Sequence, residues 1–475
     1  MAEYLTNTTD LTKVAAAIRE KGGTSGSLVY PDGFVTAIGN IQTGTELQII
    51  VTVASGATVT ATKGSLSVSG TAINGTCTLT VPEAGTWSVK AINGQTSDTK
   101  SVSVADSYAV SLSVGNAFGV CWDYGSSSTT LSRLTATNDP NGLVNTSITT
   151  EPAPAVGTGD GSSPFDSYFP WAGMEEYNII DNAVGYKKGD SGFSRSLHDT
   201  VVYIPEFYYK VVDDATNSKR YFYIADDLMT GFTRHPGSGR YVGKYHTITG
   251  YYSKSGSQPL TNITRDAART KSKSKGNNWC QYDFTTHCAI VLLYLVEFAD
   301  WDSQSKIGAG GGSGSIARTG DCDSMTYHTG TSASDRASPG SVLYRNIENL
   351  WANVYSFVDG VNFSDGAGYV CTNPANYDDD TSENYIDTGI MLQSSGYISS
   401  LGYSSDVPWA LLPSDASGSS NTYIPDKVSS NNGWRVLRAG GFFRANTTFG
   451  LMRYDESYDS MTSSSTGGMR FIYIP

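Results

Sequence analysis

The chain has 475 residues, material for about two to four domains at roughly 150 residues each, and enough to bury a substantial core. Only 16% of the residues are charged, while 51 are Gly and 30 are Tyr, a profile of loops and β structure rather than long helices. The net charge of −13 denies nucleic acid the basic footprint it needs and repels anionic membranes.

The opening "MAEYLTNTTDLTK" has no apolar core behind a basic start, so no signal peptide is expected. Residues 1–44 read as a small helical unit. Asp10 is placed to cap a helix with Leu11, Val14 and Ile18 on one face and Gly22-Gly23 as its stop. A second helix is expected after Asp32, with Phe34, Val35, Ile38 and Ile41 as its apolar stripe. Two helices of this size bury too little to stand alone, so they should dock on another copy or a larger assembly.

From Leu47 the period becomes 2. "LQIIVTV", "ATVTAT", "CTLTV" and "TWSVKA" are short alternating runs, separated by Lys63-Gly64, Asn74-Gly75 and Asn93-Gly94. That spacing predicts an antiparallel sandwich of immunoglobulin-like type over residues 45–115, with Trp87 in its core. A last strand over residues 108–114 should lead out of it.

Residues 116–475 are long and irregular. "VVYIPEFYYKVV" reads as one strand, with Pro205 at an edge or bulge. "TRDAARTKSKSK" starts as a helix and ends as a solvated basic loop. The apolar run "CAIVLLYLVEFA" is too short to span a bilayer and contains Glu297, so it predicts a buried helix and no membrane insertion. "LYRNIENLWANVYSFVDG" mixes helix and strand signals. Near the end, residues 442–460, "FFRANTTFGLMRYDESYDS", have no period that would bury a face. They lie between the firmer segments "WRVLRAGG" and "GGMRFIYIP", whose glycine pairs permit tight turns.

Three landmarks, "IENLWANVYSFVDG", "WRVLRAGGFF" and the terminal "GGMRF", resemble in order those of the C-type lectin fold in its formylglycine-generating-enzyme-like form. Other stretches, among them "SSPFDSYFPWAGM", "NNWCQYDFTTH" and "LYLVEFADWDSQSKIG", are similar to tail proteins of phages and prophages. Some such proteins are variable targets of diversity-generating retroelements, in which a C-terminal segment is rewritten at template adenines. The resemblance therefore implies an α+β multidomain tail protein: a helical virion-attachment unit (1–44), an immunoglobulin-like spacer (45–115) and a lectin-fold domain (116–475) with a variable region near 441–467.

That resemblance implies a ligand-binding face made of Phe443, Arg444, Asn446, Thr448, Phe449, Arg453, Tyr454, Asp455, Ser457, Tyr458 and Asp459. Each of these types can arise from an Asn codon mutated at its adenines. Met452 and Met461 cannot, and stay outside the varied set. Tyr and Phe give rigid contact area, Ser, Thr, Asn and Asp adaptable hydrogen bonds, and Arg a planar fork. The implied partners are a host cell-surface receptor, protein or glycan, and other virion tail proteins. Analogy with tail tips adds a homotrimer and a virion-tail localisation. The alternatives are a non-diversified glycan-binding lectin or bacterial surface adhesin of the same fold, and a formylglycine-generating-type oxidase.

Catalytic chemistry has little support in the residues. His198, His235, His246, His287 and His328 are scattered without metal spacing. Cys280, His287 and Cys288 sit among apolar neighbours and read as buried structural residues. The six cysteines lack C-x-x-C spacing and predict free thiols. Asp378, Asp379, Asp380, Glu383 and Asp387 match no calcium loop and read as a solvated acidic turn, leaving a structural calcium unplaced. Cys322 and Cys371 do not sit in the oxidase family's copper-site context, so no enzyme and no cofactor are expected.

Overall fold

Seventeen buried apolar side chains between Ile49 and Val114, most of them on short alternating strands, make one core. In the computed structural model, the described residues are 8–21, 25–39, 46–53, 56–73, 75–93, 96–112, 114–156, 161–310, 314–325, 329–331, 341–444 and 449–475. The chain is β-rich and divides into two units, Met1–Val114 and Gly115–Pro475.

In the first unit the helices are Thr8–Glu20 and Asp32–Gly39. The first starts two residues ahead of Asp10, which therefore lies inside its first turn and is not the cap. Its buried stripe is Ala15 and Ile18 with Leu11 beside them, an i, i+4, i+7 set. Val14 is 46% exposed, because the small Ala15 lets Phe34 and Ala37 of the second helix approach there instead. Val35 and Ile38, expected inside, are also exposed, and Gly22, Gly23 and Ile41 lie outside the described residues.

The strands form two sheets over one core. Gln48–Thr52 lies between Thr76–Thr80, antiparallel, and Tyr108–Ser111, parallel. The second sheet runs Leu66–Thr71, Thr58–Lys63, Gly85–Asn93, Thr96–Val104. Trp87 is fully buried and its indole N–H donates to the Glu83 carbonyl at 3.1 Å, as a buried indole requires. The last strand ends at Ser111, just before the unit closes at Val114. Its Val110 packs against the core, and parallel pairing with the first strand makes it an edge of the sheet.

The second unit is organised by the helix Phe284–Phe298, whose fifteen residues are all buried. Asp283 caps its start by accepting the Thr286 N–H, and Ala299, in the left-handed region, ends it. A helix apolar all round must be covered all round. Its cover comes from three sheets that share one core with it. A five-stranded sheet supplies Phe118, Val120 and Phe222, a six-stranded sheet Val202 and Val242, and an eight-stranded sheet Val358, Leu437 and Tyr454. Among the described residues no helix is long and apolar enough to cross a membrane.

"VVYIPEFYYKVV" is two strands, not one. Asp199–Ile204 belongs to the six-stranded sheet and Tyr208–Asp214 to the five-stranded sheet. Pro205, with no N–H for a ladder, sits where the chain changes sheets. The mixed segment over residues 343–360 is strand. Val342–Tyr344 and Ile347–Glu348 form a hairpin through Arg345 (φ 45°) and Asn346 (φ 68°), and Tyr355–Ser364 follows.

The costly left-handed Arg345 is held by charge. Its guanidinium is fully buried and pairs with Glu297 of the central helix, Nε to Oε2 at 3.0 Å, and with Asp166 at 2.8 Å. The Tyr344 and Ser163 hydroxyls donate to the same Glu297 carboxylate at 3.1 and 2.8 Å. Arg345→Met leaves Glu297 buried without its cation and is expected to cost about 3–5 kcal/mol in denaturant unfolding. The double variant Glu297→Leu, Arg345→Met should recover most of that loss, and a double-mutant cycle checks it.

Candidate binding face

The segment "WRVLRA" is a central strand, Trp434–Ala439, because its neighbours on both sides are already in place. It pairs antiparallel with Tyr355–Ser364 and with Tyr454–Tyr458, and the latter pairs in parallel with Lys427–Ser430. Gly440 and Gly441 follow at φ 88° and 78°. A Cβ at Gly440 would strike the Leu350 carbonyl, and one at Gly441 the Phe449 ring, so both glycines are required.

The chain comes back at residue 450 under tight control. The buried Asp426 carboxylate accepts the Gly450 N–H at 2.5 Å and the Met452 N–H at 2.9 Å. Ser303 Oγ accepts the Leu451 N–H at 3.0 Å, and Gln304 Nε2 donates to the Phe449 carbonyl at 2.9 Å. The second glycine pair works differently from expectation. Gly467–Gly468 makes no left-handed turn; it is a short strand parallel to Tyr355 and Ser356, pressed against the Leu260 carbonyl. Glycine is needed there for close approach.

Between these fixed ends the expected contact residues separate into two groups. Arg444 and Asp459 are exposed, and Phe443, Phe449, Ser457 and Tyr458 are half-buried. Asn446 and Thr448 lie outside the described residues. Arg453, Tyr454 and Asp455 are buried and are corrected from contact residues to scaffold. Tyr454 is inside the core, its ring 5.3 Å from His287 and 6.3 Å from Phe284 of the central helix. The Arg453 guanidinium donates to the Lys427 and Tyr454 carbonyls at 2.8 and 2.9 Å, to Ser429 Oγ at 2.9 Å and to the Tyr355 hydroxyl at 3.1 Å. Asp455 accepts from Arg438 at 2.5 Å and from the Ser457 hydroxyl at 2.5 Å.

The exposed group rests on residues that sequence reasoning left out of the site. Phe442 packs at a tilt against Tyr355 (5.8 Å) and Phe449 (5.7 Å) and meets Phe443 edge-on at 5.9 Å. The Arg438 guanidinium lies 4.5 Å from the Tyr355 ring and 3.3 Å from the Tyr458 ring. Arg453 sits 4.5 Å from the Phe449 ring and Arg444 5.3 Å from Phe443. This alternation of ring and guanidinium stiffens the patch. The signal for Tyr355 and Arg438 was present in the landmark segments, where it reads as fold alone.

Three buried carboxyl groups set the electrostatics. Burial pushes the Asp455 carboxyl up, but the guanidiniums of Arg438 and Arg453 and the Ser457 hydroxyl outweigh it and hold it below the usual range. Glu456 is fully buried. Its burial, then the Asp455 charge beside it, push it up to about 8 against the pull of Ser430 and Arg453. Burial likewise pushes Asp426 up to about 7, despite its two backbone hydrogen bonds.

The acidic turn is not wholly solvated. Asp379 pairs with Arg265 and, at 2.7 Å, with Arg269, and its carboxyl is held below its usual value because both guanidiniums overcome its burial. Asp380 accepts the Ser460 hydroxyl at 2.6 Å, which fixes the far end of the candidate segment. Among the described residues no group of three His, Cys, Asp or Glu side chains could hold a metal ion. All six cysteines are free thiols, and His287 contacts the Tyr282 hydroxyl through Nδ1 at 3.1 Å. His328 lies outside the described residues. No protein-family model matches the chain, and no curated protein sequence matches it.

Gly441→Ala should lower stability by more than about 1 kcal/mol, since a Cβ is strained at φ 78° and meets the Phe449 ring. Near-UV circular dichroism should report the disturbed aromatic cluster. Glu456 has a folded pKa above the ordinary 4.5, so its contribution is complete below that value and is lost as pH rises through about 8. Thermal unfolding across pH 4.5 to 8 should therefore decline less steeply in Glu456→Gln than in the unsubstituted protein.

Proposed function

We propose that this chain is a phage or prophage tail receptor-binding protein, whose second unit is a C-type lectin fold displaying a diversified face to the host surface. The sandwich of the first unit serves as an immunoglobulin-like spacer, and the helical pair as the attachment to other virion tail proteins. The observation that carries the reading is the half-exposed patch of Phe443, Arg444, Phe449 and Tyr458, on a segment whose two ends are locked by Gly440-Gly441, Asp426 and Asp455. Rigid aromatic anchors ringed by polar groups lose little entropy on binding, as a paratope requires.

Diversification fits this division of labour. Positions 443, 444, 449, 457, 458 and 459 can change without entering the core, whereas 453, 454 and 455 cannot. Single-site binding would be weak, and display in several copies on a tail, as in a homotrimer, raises it. The reading involves no catalytic step.

One observation favours a glycan as the ligand. A 380 Å³ pocket lined by Asp365, Gln393, Ser430, Asn431 and Asn432 opens beside the patch, and Asn431 donates to the Ser457 carbonyl at 3.1 Å. Amides, a hydroxyl and a carboxylate of that kind suit sugar hydroxyls. A non-diversified lectin or surface adhesin would use the same face.

Virions carrying Phe443→Ala together with Arg444→Ala should keep the thermal unfolding of the protein and lose host adsorption by about thirtyfold or more, the value of one binding hot spot. Unchanged adsorption with intact folding contradicts the assignment of this face.

A further inference from the structure

The 380 Å³ pocket beside the patch lies between three segments that hold one another in place. The first is the hairpin joining Tyr355–Ser364 to Ala367–Val370. It turns through Asp365 (φ 50°) and Gly366 (φ 85°) alone, a type I′ pattern. Gly366 has to be glycine, because a Cβ there would strike the Leu392 carbonyl. Its own carbonyl accepts the Leu392 N–H at 3.0 Å, which brings the second segment, Leu392 and Gln393, alongside.

The third segment, residues 431–433, connects Lys427–Ser430 to Trp434–Ala439 and is clasped to the hairpin by two bonds. The Asp365 N–H donates to the Gly433 carbonyl at 3.2 Å, and the Gly433 N–H donates to Asp365 Oδ1 at 2.8 Å. Ser430 is fixed by Ser395, whose hydroxyl accepts the Ser430 N–H at 2.9 Å and donates to the Ser430 carbonyl at 3.3 Å. A lining set in this way needs little ordering when a ligand enters.

What the clasp leaves uncommitted is weighted towards acceptors. Asp365 spends Oδ1 on Gly433, and its Oδ2 has no partner among the described residues. Asn431 turns its amide nitrogen to the Ser457 carbonyl at 3.1 Å, and Gln393 turns its own to the Met391 sulfur at 3.1 Å. Each therefore keeps its amide oxygen for a ligand. Asn432 offers a whole amide, with no partner among the described residues.

Charge points the same way. Among the described residues Asp365 pairs with no cation, and the lining contains no Lys, Arg or His. The Arg435 guanidinium, two residues past Gly433, donates to the Trp434 carbonyl at 3.0 Å and is not part of the lining. A ligand that satisfies this pocket brings hydrogen-bond donors and a positive charge, with little apolar area beyond what Leu392 can meet.

Resting on the glycan reading above, we propose that the pocket takes an amino sugar, one hexose-sized ring with a free ammonium. The volume is within the range of about 300–1,000 Å³ for ligand pockets. The ammonium has three donors and no acceptor, and it meets Asp365 Oδ2 and the free amide oxygens. Ring hydroxyls, which both donate and accept, meet Asn432 and the remaining amide hydrogens of Gln393 and Asn431. A uronate would set its carboxylate against Asp365, and a neutral hexose leaves that charge without a partner.

Titration of the full chain at neutral pH with glucosamine, glucose, N-acetylglucosamine and methylammonium, followed by NMR, tests this. Glucosamine should bind in the millimolar range, about threefold tighter than the two neutral sugars, the worth of one solvent-exposed ion pair. Methylammonium should bind about tenfold more weakly than glucosamine or not at all. Asp365→Asn can keep the Gly433 bond and tolerates the left-handed backbone, so it should keep the thermal unfolding and the glucose affinity while abolishing the preference for glucosamine. Asn432→Ala should weaken all three sugars about threefold. Equal affinity for glucosamine and the neutral sugars, or a preference that survives Asp365→Asn, overturns the proposal and leaves the glycan reading standing. Binding of none of the three sugars overturns both. Methylammonium as tight as glucosamine removes the sugar ring, and unaltered affinity in the folded Asn432→Ala variant removes the site; each also overturns the proposal.

Discussion

A helix with no polar face has to be covered on every side, and in this chain that requirement falls on Phe284–Phe298. Its ends demand as much as its sides. At the start, Asp283 is fully buried and favourably placed against the helix dipole, with Arg240 at 2.8 Å and the Tyr377 hydroxyl at 3.0 Å. At the finish, Glu297 opposes the dipole and would be untenable in the core without Arg345. These two ionic contacts come from distant parts of the chain, and so they commit residues 240, 345 and 377 to the same core.

The same constraint reaches the C-terminal strands. Tyr454 is part of the helix's cover, so the strand that carries it is fixed in register and its neighbours Arg453 and Asp455 are spent on internal contacts. Freedom to present side chains begins only before Gly450 and again at the half-buried end of that strand, Ser457 and Tyr458, and beyond it. Buried charge and exposed aromatics thus have reciprocal roles. Arg438 links the two, pairing with Asp455 beneath and stacking on Tyr458 above.

Patterns that depend on neighbours along the chain were legible in the sequence. The central helix and the alternating strands with Trp87 inside follow from period and turn chemistry, and "FIYIP" was readable as a closing strand. What escaped depends on partners far away. Arg453 and Asp455 look like surface residues because they are charged, and only the converging strands turn them inward. Asp379 looked solvated for the same reason, until Arg265 and Arg269 arrive from a helix more than a hundred residues earlier. Pro205 and the Arg345-Asn346 turn mislead in a different way, since apolar runs on both sides hide a change of sheet or direction. In the first helix a single small residue, Ala15, rotates the buried face by one position.

The function proposed here, a virion tail protein with a diversified face, rests on a division between a scaffold that cannot change and a surface that can. Sequencing the 3′ coding DNA from many virions descended from one clone tests it most directly. The account predicts substitutions at template adenines for positions 443, 444, 449, 457, 458 and 459, with 438, 453, 454 and 455 constant. Equal variation at Tyr454 and Asp455, or a segment that never varies beside a functional reverse transcriptase, would contradict it.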